Sequence, residues 1–441
     1  MKRILTILLI AVLMCGLTGC ATKTLLDPED PVTLSLWHVY GEQADAPMNR
    51  LVAEFNATVG KDAGVVVRVD NVTSTSKIGY QLMDAQANVP GAAPMPDLFS
   101  CNTSIAHELG AENLVDWKQH FTQEELAQYV PEFVEDGMLD GRLAVFPVSK
   151  SSYALFVNGS QFARFSADTG VTYEQLSTWE GFFDAAESYF EWSGGKTFCA
   201  MDYLIRHVEL DMLARNEEIA YTEDGWYDTE SAALKQSFCR FAYPLVQGHI
   251  EVADLYANTQ VMTGEVLCGI GSTAAIIYYN DVVTYPDNTT EPTDLHVLPL
   301  PRDGRGQEFM PQTGVGLAAY HTTAEKAEAA EVFIRWFTEG QRNLDFVVET
   351  GYMPVNNGAF EEIEGYEYPN AGYAYLYDAI RVMRQAYTPV VRPVLDGYYD
   401  KVNALYDGLR EQQASNAERI ARGESAEALV EETWEFFRSI A

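Results

Sequence analysis

The pattern in this chain that most resembles a cofactor motif is the turn at residues 269–274, with the sequence GIGSTA. It fits the G-x-G-x-x-A pattern of dinucleotide-binding proteins, in which a strand leads into a helix whose N-terminus faces a phosphate. Here the pattern comes late in the chain. We therefore expect no dinucleotide cofactor. The backbone N–H groups and hydroxyls of the turn remain able to donate hydrogen bonds to ligand oxygens.

Residues able to catalyse a reaction or hold a metal show no recognisable spacing. The seven histidines are scattered and form no HExxH or other compact ligand pattern. Neither a G-x-S-x-G turn nor a Cys/His nucleophile signature is present. His207 and Glu209 lie two apart on a predicted helix, where we expect both on the surface. The prediction is a protein that is not an enzyme and has no metal or cofactor. An exported glycan-active enzyme remains the alternative, since two carboxylates about 5–10 Å apart leave no sequence signature.

Aromatic and hydroxyl side chains, by contrast, gather in loops that follow predicted strands. Aromatic rings stack on the apolar faces of sugar rings, and hydroxyls satisfy sugar OH groups that would otherwise be buried unpaired. In open α/β sheets such loops surround the ligand, which lies beyond the carboxyl ends of the strands. The combination favours a polar, uncharged ligand. The loops concerned are 37–40, 74–76, 151–153, 226–227, 278–279 and 398–399.

The residue patterns on either side of these loops predict alternating strands and helices. Residues 32–37, 65–69 and 96–100 have the alternation or β-branched runs of strands, and a helical spacing of apolar residues separates the first two. This rhythm predicts an α/β fold with parallel pairing. Further strands are predicted at 143–147, 153–158, 266–270, 295–300 and 314–320. Thr322 and Glu325 form a predicted capping box that opens a helix.

The N-terminus has the features of an export signal. Lys2 and Arg3 precede an apolar run over residues 4–14, which is shorter than the roughly 20 residues that span a bilayer. Residues 17–20 (LTGC) resemble the bacterial lipobox, in which the cysteine is acylated. We therefore predict a lipoprotein signal peptide at 1–20, lipidation of Cys20 and a flexible tether at 21–31.

Composition excludes several classes of partner. The 441-residue chain has a formal net charge of −35, spread along its length, so that nucleic acid and anionic lipid heads would be repelled. Its 47% hydrophobic content supports a large core and more than one domain. Four cysteines remain beyond the signal, without metal spacing, and buried free thiols are expected although a disulfide stays open. They are Cys101, Cys199, Cys239 and Cys268.

Several short segments, in this order and spacing, resemble extracellular solute-binding proteins of family 1, the substrate-capturing subunits of ABC importers. The resemblance is to the branch that includes the glycerol-3-phosphate and maltose binders, and it covers nearly the whole mature chain. The segments are 36–38 (LWH), 54–56 (EFN), 96–99 (PDLF), 146–152 (FPVSKSS), 155–158 (LFVN), 264–266 (GEV), 298–301 (LPLP), 314–316 (GVG), 330–338 and 350–355 (TGYMPV).

This resemblance implies a two-lobe α/β periplasmic-binding-protein-like fold of type II, with the ligand in a cleft between lobes joined by several hinge crossings. Lobe I would comprise 32–147 and 299–352, and lobe II 148–298 and 353–441. The crossings would lie near 146–148, 297–299 and 352–354. The protein would sit on the extracytoplasmic face of the bacterial cell membrane, as a monomer held by its lipid anchor, and would deliver its ligand to the permease subunits.

Carried over by position, the resemblance also implies a set of ligand contacts. These are Trp37, His38, Ser74, Asn102, Ser151, Ser152, Ser272, Thr273, Gly314, Tyr352, Tyr398 and Tyr399. Glycerol-phosphate binders use an arginine in the C-terminal segment, where only Arg392 stands near Gly397 in this chain. A phosphorylated ligand would also enter a strongly negative field. A neutral mono- or oligosaccharide is therefore the favoured ligand, with a glycerol-3-phosphate-like compound as the alternative.

Overall fold

The structure is a computed structural model that describes residues 24–41, 46–254 and 256–440. The predicted signal peptide and the Cys20 lipidation site lie outside the described residues. Among the helices described, none combines the length and the apolar character needed to cross a bilayer.

Sixteen strands are formed by the described residues, and they belong mainly to two five-stranded sheets. They are β1 (Val32–His38), β2 (Val65–Val72), β3 (Leu98–Cys101), β4 (Met138–Leu139), β5 (Arg142–Leu143), β6 (Phe146–Pro147), β7 (Tyr153–Val157), β8 (Cys199–Met201), β9 (Ile250–Val252), β10 (Cys268–Ser272), β11 (Val282–Thr284), β12 (Thr290–Pro292), β13 (His296–Leu298), β14 (Glu308–Pro311), β15 (Gly316–Ala319) and β16 (Tyr387–Val390).

Seventeen α-helices of the described chain pack against these sheets. They are α1 (Pro47–Ala57), α2 (Val59–Ala63), α3 (Thr75–Gln86), α4 (Thr103–Leu109), α5 (Gln123–Leu126), α6 (Pro131–Asp136), α7 (Gly159–Thr169), α8 (Trp179–Ser193), α9 (Leu204–Ala214), α10 (Ala232–Val246), α11 (Ala257–Met262), α12 (Ala324–Phe337), α13 (Gly340–Thr350), α14 (Asn357–Glu362), α15 (Ala371–Ala386), α16 (Tyr398–Ala421) and α17 (Ala426–Ser439). A 3₁₀ helix over Thr273–Tyr278 follows β10.

The first sheet has the strand order β2-β1-β3-β15-β6, and the second has the order β13-β7-β10-β8-β9. In the first, β1, β2 and β3 are parallel, and β15 runs antiparallel to β3. In the second, β8, β9 and β10 are parallel, whereas β7 runs antiparallel to β10. Each sheet therefore gathers the carboxyl ends of three parallel strands at one edge, as the predicted α/β class requires.

Hydrophobic packing divides the chain somewhat differently from the predicted lobes. Leu300 and Met310 belong to the core that covers the second sheet, because β14 pairs with β16 rather than with the first sheet. The chain therefore returns to the first lobe between β14 and β15, about a dozen residues later than predicted. Leu376 and Ile380 of α15 pack in the hydrophobic core of the first sheet. The same core includes Phe156 of β7.

The segment before β1 is packed rather than free. Leu26 is 8% exposed and lies in the core of the first lobe. The Thr24 hydroxyl donates a hydrogen bond of 2.5 Å to Glu328, and the Leu25 N–H donates to the same carboxylate. Within the predicted tether at 21–31, residues 24–26 are therefore held against α12 by an apolar side chain and two hydrogen bonds.

Helix α12 begins one residue later than predicted. Its N-cap is Thr323, whose side chain accepts a hydrogen bond from the Lys326 N–H. The predicted box of Thr322 and Glu325 is therefore wrong. The capping box that does form joins Thr122 to Glu125 at α5.

Candidate functional site

The candidate site in the first lobe is the edge where its parallel strands end. His38 ends β1, Ser74 is the N-cap of α3 after β2, and Asn102 is the N-cap of α4 after β3. Gly316 pairs with both Cys101 and Pro147, which brings Gly314 to the same edge. The topology therefore gathers the predicted residues of this lobe at one place.

Most of these side chains are engaged in the protein's own packing. Trp37 is 3% exposed, and His38 is fully buried with its Nε2 atom 3.1 Å from Asn49 Oδ1 and its Nδ1 atom accepting from the Tyr40 N–H. The Asn102 side chain accepts a hydrogen bond of 2.9 Å from the Ile105 N–H. Ser74 is half-buried at the start of its helix. This edge thus offers a ligand chiefly helix N-termini and loop backbone.

The crossing segments close the floor between the two sheets. Ser151 exchanges backbone hydrogen bonds with Thr313, and their hydroxyls are 2.7 Å apart. The Thr273 N–H donates to the Ser152 carbonyl, and the hydroxyls of both residues are buried without a hydrogen-bond partner in the described part of the chain. Gly314 has a φ of 95°, and a Cβ atom there would lie 3.0 Å from the Ser151 nitrogen. The predicted serines and threonine therefore line the hinge floor.

The second lobe presents a richer set of side chains at the edge where β8, β9 and β10 end. Asp202 and Tyr203 follow β8, Tyr256 follows β9, and Tyr278 is the last residue of the 3₁₀ helix that follows β10. Tyr203, Tyr256 and Tyr278 are 37%, 42% and 62% exposed, which is high for such large rings. The predicted ligand contacts omit all four residues, although 278–279 is among the aromatic loops noted in the sequence. Asp202, Tyr203 and Tyr256 were missed because β8 and β9 are three residues long and too short to show alternation.

These tyrosines lie close to each other and to two predicted residues, Tyr352 and Tyr399. Burial raises the pKa of the Tyr203 phenol, and Tyr256, Asp202 and Tyr399 add to that rise. Burial likewise raises the pKa of Tyr352, with contributions from Tyr278 and Tyr256. These electrostatic interactions link five phenols, which we call the tyrosine cluster (Tyr203, Tyr256, Tyr278, Tyr352 and Tyr399).

Asp202 is the charged residue of this edge, and the glycine-rich turn makes room for it. A Cβ atom on Gly271 would overlap the Asp202 carboxylate. The Ala257 N–H donates to Asp202 Oδ1 at 2.7 Å, and the Ser272 N–H donates to the same side chain. Burial raises the pKa of Asp202 to about 7, and these backbone bonds oppose the rise. The glycine of the 269–274 pattern therefore leaves room for a carboxylate.

The C-terminal segment brings one cation to the same wall. The Arg392 guanidinium lies 4.0 Å from the Tyr398 ring centroid and 5.5 Å from that of Tyr399. No carboxylate lies within 4 Å of Arg392 in the described ranges. Tyr398 itself is buried, with its hydroxyl 2.7 Å from that of Tyr227. Tyr399 is 51% exposed, so of the two predicted tyrosines it is the one open to solvent.

A buried network fixes this segment in place. The Glu209 carboxylate, fully buried on α9, pairs with Arg206 and accepts a hydrogen bond from the Tyr227 hydroxyl. Arg206 also donates to the Val390 carbonyl at 3.2 Å. His207 on the same helix is buried too, and burial lowers its pKa to about 3. The expectation that His207 and Glu209 lie on the surface is therefore wrong, because α9 is covered on nearly every side.

Contacts between the lobes show that the two strand edges face each other. His107 on α4 of the first lobe has its Nε2 atom 3.6 Å from Asp396 Oδ1, which precedes α16 in the second lobe. Tyr352, at the crossing, has its ring 5.8 Å from that of Tyr40 in the first lobe. The tyrosine cluster thus lies in the cleft, beside the crossings.

Two cavities of about 440 and 450 Å³ lie on other surfaces, one between α1 and α13 and one between the β11–β12 hairpin and α15. Neither is lined by a predicted contact residue. The described part of the chain contains no group of His, Cys, Asp or Glu side chains arranged to hold a metal ion.

Comparison with known proteins agrees with this architecture. A sequence model described as bacterial extracellular solute-binding protein matches residues 50–372. The chain belongs to the bacterial extracellular solute-binding proteins. Members of this family are extracellular proteins that bind a solute. A comparison with curated protein sequences gave no match.

Solved structures of this kind share the two-lobe fold at low sequence identity. The cyclic α-maltosyl-1,6-maltose binding protein of Arthrobacter globiformis has a TM-score of 0.67 at 14% identity, over 93% of this chain and 99% of that one. The sugar-binding protein MalE of Xanthomonas citri has a TM-score of 0.66 at 15% identity, over 93% and 97%. UgpB of Mycobacterium tuberculosis, in complex with glycerophosphocholine, has a TM-score of 0.63 at 17% identity, over 93% and 98%.

Proposed function

We propose that this protein is a lipid-anchored receptor that captures a mono- or oligosaccharide and hands it to the permease of an ABC importer. The observation that carries the proposal is the tyrosine cluster, in which the partly exposed rings of Tyr203 and Tyr256 lie beside the Asp202 carboxylate. Tyrosine faces stack on the apolar faces of sugar rings, and Asp202 can accept hydrogen bonds from sugar hydroxyls. Two structural relatives described above are a cyclic α-maltosyl-1,6-maltose binding protein and a sugar-binding protein.

Closure of the two lobes would then act as the signal that a ligand has been caught. A ligand shifts the open–closed equilibrium only if it binds the closed state more tightly. A micromolar affinity requires about −8 kcal/mol, which a few stacked rings and hydrogen bonds can supply.

The test is binding of a carbohydrate panel, followed by substitution of two cluster residues. We expect one sugar to raise the thermal stability of the purified protein. The variants Tyr203→Ala and Tyr256→Ala should each weaken its binding at least tenfold in calorimetry, with the sugar recovered chemically intact. Tyr243→Ala is the matched control, because Tyr243 is 43% exposed but lies on α10, away from the cleft. Unchanged affinity in both cluster variants, or cleavage of the sugar, would refute the proposal.

Arg392 favours a second candidate, in which the same receptor takes a glycerol-3-phosphate-like ligand. A half-buried guanidinium stacked on Tyr398 and without a carboxylate partner in the described chain can hold a phosphate through two parallel hydrogen bonds. The alternative predicts that glycerol 3-phosphate binds and glycerol does not. It also predicts that Arg392→Lys loses most of the affinity for glycerol 3-phosphate, since a lysine ammonium cannot form the two parallel hydrogen bonds of a guanidinium. Tighter binding of neutral sugars than of glycerol 3-phosphate would exclude it.

A further inference from the structure

The Asp202 carboxylate accepts fewer hydrogen bonds from the surrounding protein than its oxygens can. A carboxylate has about four lone-pair positions, and the described residues supply two backbone donors, from Ala257 and Ser272. In the described ranges no lysine, arginine or histidine nitrogen comes within 4 Å of it. Burying a negative charge without a cation is costly, and such groups concentrate at functional sites.

The groups beside Asp202 are aromatic, and the cation of this wall, Arg392, is stacked on Tyr398 and Tyr399. Tyr203 follows Asp202 in the chain, Tyr256 faces it from the segment after β9, and Tyr279 faces it from the end of the 3₁₀ helix. The pKa values of all three phenols are raised, chiefly by burial, so these rings stay neutral at physiological pH. One face of Tyr203 is covered by Tyr153, whose ring is stacked at 5.7 Å and 14°. The Tyr203 side chain nevertheless keeps 37% of its surface exposed.

Neutral tyrosine faces around an unpaired carboxylate are the environment that an organic cation prefers, since the ring quadrupole attracts positive charge. The protein's net charge of −35 would also draw a cation toward the cleft. We infer that the ligand carries an ammonium group, which pairs with the Asp202 carboxylate inside the tyrosine cluster. The inference rests on the proposed function for the position of the ligand in the cleft, and it narrows the ligand to an aminated compound.

The decisive probe is choline, whose charge does not change with pH, against its uncharged isostere 3,3-dimethylbutan-1-ol. At pH 8 we expect choline to bind at least tenfold more tightly than the alcohol. Because Asp202 takes up a proton below about pH 7, choline affinity should fall by roughly a hundredfold between pH 8 and pH 5. The alcohol should bind equally at both pH values. Equal affinity for choline and the alcohol at pH 8 would overturn the inference.

Two variants separate the charge of Asp202 from its structural role. Asp202→Asn keeps the acceptor for the Ala257 N–H, and it should abolish both the preference for choline and its pH dependence. Glu251→Gln is the matched control, because burial raises the pKa of Glu251 to about 7 as well, although this residue lies on β9 beside Gln260 and Gln413. It should leave the choline profile unchanged. A preference for choline that survives in Asp202→Asn would also overturn the inference.

A second pair of probes identifies the source of the ammonium group. The β-1,4-linked disaccharide of glucosamine and its di-N-acetylated neutral counterpart differ only in charge and acetylation. A preference for the free amine points to an amino sugar, whereas binding of choline alone points to a quaternary ammonium compound and removes the carbohydrate proposal. Equal binding of both disaccharides, without any choline preference, overturns the ammonium inference and leaves the carbohydrate proposal standing.

Discussion

Replacing Asp202 with asparagine should stabilise the folded protein at neutral and alkaline pH. The folded chain holds the Asp202 proton up to about pH 7, whereas an ordinary aspartate releases it near 3.8. The folded state therefore binds more protons than the unfolded state between these values, and the free energy of unfolding falls as pH rises from about 4 to 7. The rise in the pKa of Asp202 from 3.8 to about 7 lowers the free energy of unfolding at high pH by at most about 4 kcal/mol, since one pKa unit is worth about 1.4 kcal/mol.

The assay is urea unfolding at pH 5 and pH 8, with the free energy obtained by linear extrapolation. We expect Asp202→Asn to exceed the parent by about 1–4 kcal/mol at pH 8 and by much less at pH 5. Glu251→Gln should behave in the same direction, because burial also raises the pKa of Glu251. Glu418→Gln, at a side chain that is 73% exposed, should change nothing. The reasoning is refuted if Asp202→Asn is less stable than the parent at pH 8 or if its effect is the same at both pH values.

Three further substitutions test other parts of the structure by the same unfolding assay. Arg206→Met leaves the fully buried Glu209 carboxylate without its cation and should cost about 3–5 kcal/mol. Arg422→Met, at the exposed C-cap of α16, should cost under about 1 kcal/mol, and equal costs would contradict the buried pairing. Gly314→Ala should cost about 1–3 kcal/mol, because its φ of 95° and the Ser151 nitrogen leave no place for a Cβ atom. Gly304→Ala, with a φ of 70° and open space, should cost only about 1 kcal/mol, and a reversed order would argue against the close approach at the crossing. Thr323→Ala should cost about 1 kcal/mol and Thr322→Ala almost nothing, since only Thr323 caps α12; the opposite result would restore the predicted box.

How far the site could be predicted depended on the length of each strand. β1 and β2 have seven and eight residues, enough for alternation or a β-branched run to show, and the residues after them were placed correctly at a strand edge. β8 has three residues, and Asp202 and Tyr203 after it carry no pattern that separates them from an ordinary loop. The tyrosine cluster becomes visible only when three such strands are aligned in parallel.

Burial was the other property that the sequence could not supply. Trp37 and His38 have the residue types of a sugar site, yet neighbouring side chains enclose both. Glu209 and His207 have the types of surface residues, yet α9 is packed on nearly every side. Residue type sets what a side chain can do, and the packing of distant segments decides whether a ligand can reach it.

By itself, the amino-acid sequence determined the α/β class, the export context and the relationship to solute-binding proteins, because these follow from periodicity, composition and the order of short segments along the chain. The tertiary structure alone decided which groups meet in the cleft. Asp202, Tyr256 and Arg392 are separated by scores of residues in the chain, and only the pairing of β8 with β9 and β10 and the packing of the C-terminal segment bring them to one wall. Electrostatic and aromatic contacts require groups to lie within a few ångströms in space, and the separation of two residues along the chain does not show whether they do.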